Sequence, residues 1–420
     1  MIADMIDEGA PHGMRVVAAS ALGVGIGLLG LPLLTVGLFM GRLHADFGWS
    51  RAQVAGASFC INAATFVAAP FIGRLCDRVG VRPVALGSLV ALCLGFLALA
   101  AMNGSILVYY SLWLALSVGS VGTTGIVWTR AIGTLFDRNR GKALGLTLAG
   151  TAFAALLGPL ALGPIIAAFG WRGGYLALAA ISALAIPVTY AFFFERRSQA
   201  TIFAAAPLRG LTRQEALRTG SFWRMGVGLF LVVLGMGSFL VHFVPLAVDA
   251  GIKAQTATRF FAIIGLSMLI GRLIIGVLLD RLHAPYVAAM ALCIPAVACW
   301  ILVGAGPDWV VFAVAASIIG FCAGAEIDLI AYLVSRYFGM RSYGEIYGCQ
   351  MMFFAAGSGL GGLVTGRIHD AYGSYDPALY GGIVVFVLGA LIVGTMGSPP
   401  VFAQPAKAGT EDVATPIRAA

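Results

Sequence analysis

The chain has 420 residues, of which 60% are hydrophobic and only 10% charged, with a formal net charge of +8. A soluble globular protein carries about 25% charged residues, so this composition excludes an ordinary water-soluble multidomain chain. The basic surplus gathers in short loops between apolar runs, which is a pattern of membrane topology and argues against a nucleic-acid surface.

An apolar run of about 20 residues can cross a bilayer as a helix. In chain order such runs are predicted near 16–40, 53–73, 83–102, 106–134, 143–168, 174–194, 223–247, 257–279, 285–304, 309–335, 344–366 and 378–397. Backbone groups in lipid must be satisfied within the segment, and the two-residue alternation of a barrel strand is missing, so the spans are helices. The first run is expected to remain on the chain, because Asp4, Asp7 and Glu8 precede it and it exceeds a signal-peptide core. Arg74, Arg78, Arg138, Arg140, Arg281, Arg336 and Arg341 all fall in alternate loops. That bias places both termini in the cytoplasm, and the fold suits a bacterial-type inner membrane. Seven cysteines form no CxxC pair, and six lie in apolar runs, so neither a disulfide framework nor a zinc site is expected.

Two loops carry nearly the same charged phrase: "GRLCDRVG" at 73–80 and "GVLLDRLH" at 276–283, 203 positions apart. The same offset relates Asp46 to Asp249, Gly48 to Gly251, Gly145 to Gly348 and Gly170 to Gly373. Six spans separate the copies, so two six-helix halves of equal orientation follow each other. The expected organisation is an all-α membrane protein with a first half over 1–194 and a cytoplasmic linker over 195–221. A second half over 222–397 and a disordered cytoplasmic tail over 398–420 complete it. Parallel repeats with a site between them are the logic of a rocking transporter.

Charges inside spans are costly and point to function. Arg130, Arg272, Glu326 and Asp328 all fall about seven to nine residues from the cytoplasmic ends of their helices, roughly 10–13 Å deep. Two cations and two anions in one layer can neutralise each other as structural ion pairs, or Arg130 and Asp328 can be linked to a substrate. Asp77 and Asp280 can sit at the N-terminus of a neighbouring helix, where an anion is favoured, with Arg78 and Arg281 pairing across the loop. Such contacts would latch one conformation; the alternative is that these arginines only set topology. Asn62 is either helix–helix glue or a ligand contact. His242 is either a structural histidine or a proton-linked outer gate. Trp128, Tyr332, Phe353 and Phe354 could line a pocket or simply pack. No P-loop, metal cluster or Ser–His–Asp set is present, so neither an enzyme, a cofactor nor a bound metal is expected.

Gly73, Asp77, Arg78, Gly80 and Arg82 resemble the loop signature G-x-x-x-D-R-x-G-x-R of the major facilitator superfamily, and Gly276, Asp280 and Arg281 repeat part of it. "TRAIGTLFDRNRGKALG" (129–145), "FGWRGGYL" (169–176), "GRLIIGVLLDR" (271–281) and "AEIDLIAYLVSRYFGMRSYGEIYG" (325–348) look like its monocarboxylate and oxalate:formate exchanger branch. The resemblance implies twelve helices, alternating access, and a role for Arg272 in binding a substrate carboxylate. A guanidinium fork suits a carboxylate well. Two features depart from the branch: helix 11 here has no second cation, and helix 1 has no lysine. One central cation suits one carboxylate. The expected function is secondary transport of a small organic anion, monocarboxylate-like, with Arg272, Arg130, Asn62 and Tyr332 near substrate. Glu326, Asp328 and His242 are the candidates for proton coupling, with anion exchange as the other drive, and the protein is expected to work as a monomer. The alternative is efflux of hydrophobic, drug-like compounds.

Overall fold

Helices and closed barrels are the two ways a chain can pair its backbone in lipid, and the computed structural model, which describes residues 2–192, 209–257 and 259–400, is almost wholly helical. In chain order the helices are α1 (Ile2–Ile26), α2 (Leu31–Phe47), α3 (Arg51–Val79), α4 (Val81–Ala100), α5 (Ile106–Ser120), α6 (Gly125–Leu135) and α7 (Arg140–Phe192). After the linker come α8 (Arg213–Leu217), α9 (Gly220–Asp249), α10 (Ala254–Ala257), α11 (Phe260–Arg281), α12 (Ala284–Cys293), α13 (Pro295–Leu302), α14 (Trp309–Tyr337), α15 (Tyr343–Tyr372) and α16 (Asp376–Gly394). The tail beyond residue 400 and the linker up to residue 208 lie outside the described residues.

Ten helical stretches among the described residues are long and apolar enough to cross a bilayer. One of them is α7, whose 53 residues would make a rod of about 80 Å if straight. It is instead two helices joined at Gly170, where φ is +69°, a conformation that favours glycine. Counting α7 as two spans and adding the 30-residue α15 is consistent with twelve. Gly373, 203 positions after Gly170, has φ +66°. The two glycines share a positive φ but not ψ, which is −173° at Gly170 and 12° at Gly373, so the chain leaves them in different directions. Large apolar side chains such as Phe71, Leu160, Leu184 and Trp300 face outward, whereas Arg272, Glu326, Asp328 and Gln350 are buried. Polar inside and apolar outside is the arrangement lipid demands.

Among the described residues three spans are interrupted, two of them by non-helical backbone. The first span is interrupted at 27–30, between α1 and α2, and the fourth at 121–124, between α5 and α6. The ninth is interrupted at Ile294, before Pro295. The breaks of the first and fourth spans meet: the Leu28 amide donates to Thr123 Oγ1 at 2.9 Å.

The halves cross through two equivalent pairs, α3 against α15 and α7 against α11. The described end of the linker is docked rather than loose. The Leu211 amide donates to the Phe338 carbonyl at 2.8 Å, and the Met340 amide to the Arg209 carbonyl at 2.8 Å. A reciprocal pair between Thr212 and Glu215 then caps α8.

Candidate functional site

The loops 73–80 and 276–283 lie on the same face as the 136–142 and 338–342 turns, here called the basic face. Each repeated aspartate caps a helix of the opposite half. Asp77 accepts from the amides of Gly344 and Glu345 at 3.0 and 2.9 Å, at the start of α15. Asp280 accepts from the amides of Gly141 and Lys142 at 2.7 and 2.9 Å, at the start of α7. Gly141 and Gly344 differ by the same 203 positions as the two aspartates, so one contact is made twice about a pseudo-two-fold axis. A carboxylate at a helix N-terminus satisfies orphan amides and meets the positive end of the dipole. The glycines make this approach possible: a Cβ on Gly276 would lie 2.7 Å from the Gly141 carbonyl, and one on Gly73 would collide with that of Gly344. Gly80 turns the chain into α4 with φ +91°.

Charges complete the closure. Arg130 forms an ion pair with Asp77, both nearly buried. Arg336 Nη1 lies 3.3 Å from Asp137 Oδ1, and Arg140 Nη2 3.2 Å from the same oxygen. Glu345 Oε1 is shared by Arg213 at 3.2 Å and Arg74 at 3.8 Å. Pairs this exposed contribute about 0–1 kcal/mol each; the two part-buried caps, each with two backbone donors, contribute more. Arg78 and Arg281 are exposed on this face. The sequence-derived layer of four charges thus divides, with Arg130 placed on Asp77 of the repeated loop.

Deeper between the halves, Arg272 of α11 is 0% exposed and Asp328 of α14 is 1% exposed. Arg272 Nη1 donates to Asp328 Oδ1 at 2.6 Å. Arg272 Nε and Nη2 and Asp328 Oδ2 have no partner among the described residues. α7 covers the pair: a Cβ on Gly145 would lie 2.8 Å from the Arg272 carbonyl and 3.7 Å from Asp328 Oδ2. Two residues apart on a helix, Asp328 and Glu326 point in different directions. Glu326 is 5% exposed, has Cys322 Sγ at 4.0 Å and lies within electrostatic range of Arg272. Desolvating each ion costs several kcal/mol, and only good geometry and further bonds offset it. An arginine with two unused donors beside a half-used carboxylate can accept an anion, or release its partner when that carboxylate is protonated.

The remaining sequence candidates lie elsewhere. The Tyr332 hydroxyl donates to the Leu279 carbonyl at 2.8 Å, and Arg336 lies over its ring at 5.3 Å, which places it in the basic-face closure. Asn62 Nδ2 donates to the Ser58 carbonyl at 2.9 Å, one turn back on its own helix. Trp128 is buried and its indole donates to the Thr123 carbonyl. Phe353 packs on Phe222 and Trp223 within the second half. His242 lies toward the distal end of α9, bonded to the Tyr375 hydroxyl at 3.2 Å and the Gly362 carbonyl at 2.9 Å, beside a largely apolar cavity of about 130 Å³. The sequence reading missed Tyr347 of α15, fully buried, its hydroxyl unpartnered among the described residues, within electrostatic range of Asp328 and Arg272. A tyrosine facing inward from a span is the signal: its hydroxyl usually finds a partner when buried.

Known proteins share both sequence and fold with this chain. Monocarboxylate transporter 11 of Mus musculus is 30% identical over 377 residues, covering 86% of this chain and 82% of that protein. Its Homo sapiens counterpart is 29% identical over 380 residues, covering 86% and 78%. An agnestins efflux protein of Paecilomyces divaricatus is 24% identical, covering 80% and 75%. Among solved structures, the human organic anion transporter MFSD10 superimposes with a TM-score of 0.73 at 19% identity, covering 91% of this chain and all of that one. A variant of the E. coli fucose:proton symporter FucP gives 0.69 at 14% identity, covering 92% and 98%. The Major Facilitator Superfamily profile matches residues 16–362. A multi-pass helical protein with a charged pair buried between its repeated halves, matched by that profile over most of its length, belongs to the major facilitator superfamily of membrane transporters.

Proposed function

We propose that this transporter carries a small monocarboxylate-like anion by alternating access, driven by proton symport or anion exchange, across a bacterial-type inner membrane with the basic face in the cytoplasm. The observation that carries the reading is Arg272, fully buried with one donor on Asp328 and two unused among the described residues. The relatives named as monocarboxylate transporters support the substrate class. In this conformation the basic face is held shut by two caps and their ion pairs, so the site would face outward. Proton uptake by Asp328 would free Arg272 for a carboxylate. Uptake of radiolabelled monocarboxylates into proteoliposomes, with and without an inward proton gradient, tests this directly; absence of uptake or exchange for every acid in a broad panel would overturn it. The efflux reading has one observation in its favour, the likeness to an agnestins efflux protein. It predicts transport of hydrophobic compounds unaffected by Arg272→Lys.

The caps give a separate prediction. Asp77→Asn removes a charged cap and the partner of Arg130, and weakens closure of the basic face by about 1–2 kcal/mol. The state open on that face should gain roughly tenfold in population, seen as increased thiol labelling of a cysteine introduced at Ser342. Transport should slow with little loss of folded protein. Normal labelling and normal rates would reduce the motif to a topology marker.

A further inference from the structure

The two repeated loops of the basic face are alike in their caps and unlike in what surrounds them. Beside the first loop a cavity of about 350 Å³ opens between the end of α3, the start of α15 and the linker helix α8. Three arginines line it: Arg74 and Arg78 from the first half and Arg213 from the linker. The second loop is built differently. Val277 stands 203 positions after Arg74, and Lys142, with its ammonium on Asn139 Oδ1 at 2.7 Å, stands 203 positions before Glu345. The repeat therefore accounts for Asp77 and Arg78 but not for Arg74 or Arg213.

The cavity carries more positive charge than its own acids neutralise. Asp77 is engaged by the Gly344 and Glu345 amides and by Arg130. Among the lining residues that leaves Glu345 to face three guanidinium groups. Glu345 Oε1 takes Arg213 Nη1 at 3.2 Å and Arg74 Nε at 3.8 Å, whereas Arg78 bonds to none of the described residues. Three positive charges against one leave a surplus of two. A guanidinium fork meets phosphate oxygens bidentately, and a doubly charged tetrahedral anion balances this surplus where a monocarboxylate does not. At about 30 Å³ per water the cavity has the room of roughly ten waters, enough for a phosphate and part of a molecule that bears it.

We propose that this cavity is an anion site separate from Arg272, which binds a phosphate group, free or carried on a larger molecule, and thereby holds the basic face closed. The inference rests on alternating access and is independent of what Arg272 binds. The site is complete only while α3 and α15 meet, because Arg74 and Arg78 belong to one half, Ser342 and Glu345 to the other, and Arg213 to the segment joining them. Opening the basic face parts the arginines. A ligand that binds one state alone shifts the ratio of the two by 1 + [L]/Kd, about tenfold at ten times Kd. Each transport cycle must open this face, so phosphate bound here acts as a brake.

The test uses the full-length protein in detergent free of phospholipid, titrated by calorimetry with inorganic phosphate and, at matched ionic strength, with chloride. Wild type should bind phosphate and not chloride. Arg78→Gln combined with Arg213→Gln should weaken phosphate binding by at least about tenfold, since two charge-assisted contacts are lost. The melting temperature of that variant without phosphate should change little, because Arg78 has no partner among the described residues and the Arg213–Glu345 pair is partly exposed. Arg281→Gln, at the counterpart of Arg78, and Arg272→Lys should both bind phosphate as wild type does. Hydrogen exchange reads the closure. At ten times Kd the amides of Gly344 and Glu345 should exchange about tenfold more slowly, and so should those of Gly141 and Lys142, which lie at the other cap. Nanodiscs of phosphatidylcholine with and without phosphatidylglycerol separate the sources. Slowing by inorganic phosphate assigns a soluble ligand, and slowing by phosphatidylglycerol alone assigns a lipid headgroup. A response to neither overturns the proposal, as does phosphate binding that survives the double variant. Phosphate binding lost in Arg272→Lys moves the anion to the central site, and binding without slower exchange at Gly141 and Lys142 removes the brake; either outcome overturns it too.

Discussion

Arg272→Lys is expected to weaken monocarboxylate binding by at least about tenfold while the protein still inserts and folds. Lysine keeps the positive charge, so Asp328 is not left as an uncompensated buried anion, a situation that destabilises by about 3–5 kcal/mol. What lysine loses is the fork. Arg272 bonds Asp328 through Nη1 alone at 2.6 Å, and its Nε and Nη2 remain to meet a second carboxylate side by side. A charge-assisted hydrogen bond contributes about 1.5–3 kcal/mol, and each 1.4 kcal/mol is about a factor of ten in Kd. Isothermal calorimetry on the purified variant reads this directly. The competing idea is that Arg272 exists only to neutralise Asp328. It predicts that replacing both, as Arg272→Met with Asp328→Asn, restores carboxylate transport, because no charge is then left unpaired. Recovered transport in that double variant would exclude a substrate role for Arg272. A folded but inactive one would exclude the purely structural role.

Much of the architecture was legible because lipid imposes it. Run length fixed the spans, and the 203-residue offset of "GRLCDRVG" and "GVLLDRLH" disclosed the repeat before any coordinate did. The offset extends further than the motif: Asp77 caps the helix at Gly344 and Asp280 the one at Gly141, positions related by the same interval. The partners of the intramembrane charges were not legible. Depth along a helix placed Arg130, Arg272, Glu326 and Asp328 in one layer, but rotation about each axis and the reach of a long side chain decide which pairs form. Arg130 extends to Asp77, whereas Arg272 meets Asp328. Tyr332 sits one turn from Asp328 on α14, and its hydroxyl nonetheless faces Leu279. The breaks in the first and fourth spans were hidden for a different reason. Hydropathy is blind to φ and ψ, and "GVGIGLLGLP" and "SVGSVGTTG" read equally well as close-packing glycine stripes and as interruptions.

Asp328→Asn should abolish uphill, pH-driven accumulation while leaving exchange of pre-loaded substrate measurable. Two carboxylates lie within electrostatic range of Arg272, but only Asp328 bonds it among the described residues. Loading a proton on Asp328 removes the competitor for the guanidinium, so proton and substrate binding favour each other; an asparagine makes that release permanent and uncouples the two. Its amide can still accept from Arg272 Nη1, which limits the destabilisation below the roughly 3–5 kcal/mol expected when a buried partner is deleted outright. Glu326→Gln is the control. Its neighbours are Cys322 Sγ at 4.0 Å and, among the described residues, no cation at bonding distance, so accumulation should persist there at a reduced rate. Counterflow and net uptake in the same proteoliposomes separate the outcomes. Retained accumulation in Asp328→Asn with loss in Glu326→Gln moves the proton to Glu326. Retention in both removes the buried pair from coupling and turns attention to His242, whose two ring nitrogens bond Tyr375 and Gly362 at the distal end of α9. Loss in Asp328→Asn alone, with exchange intact, places the coupling proton on the carboxylate that holds Arg272, and the same bond then serves as both ion pair and valve.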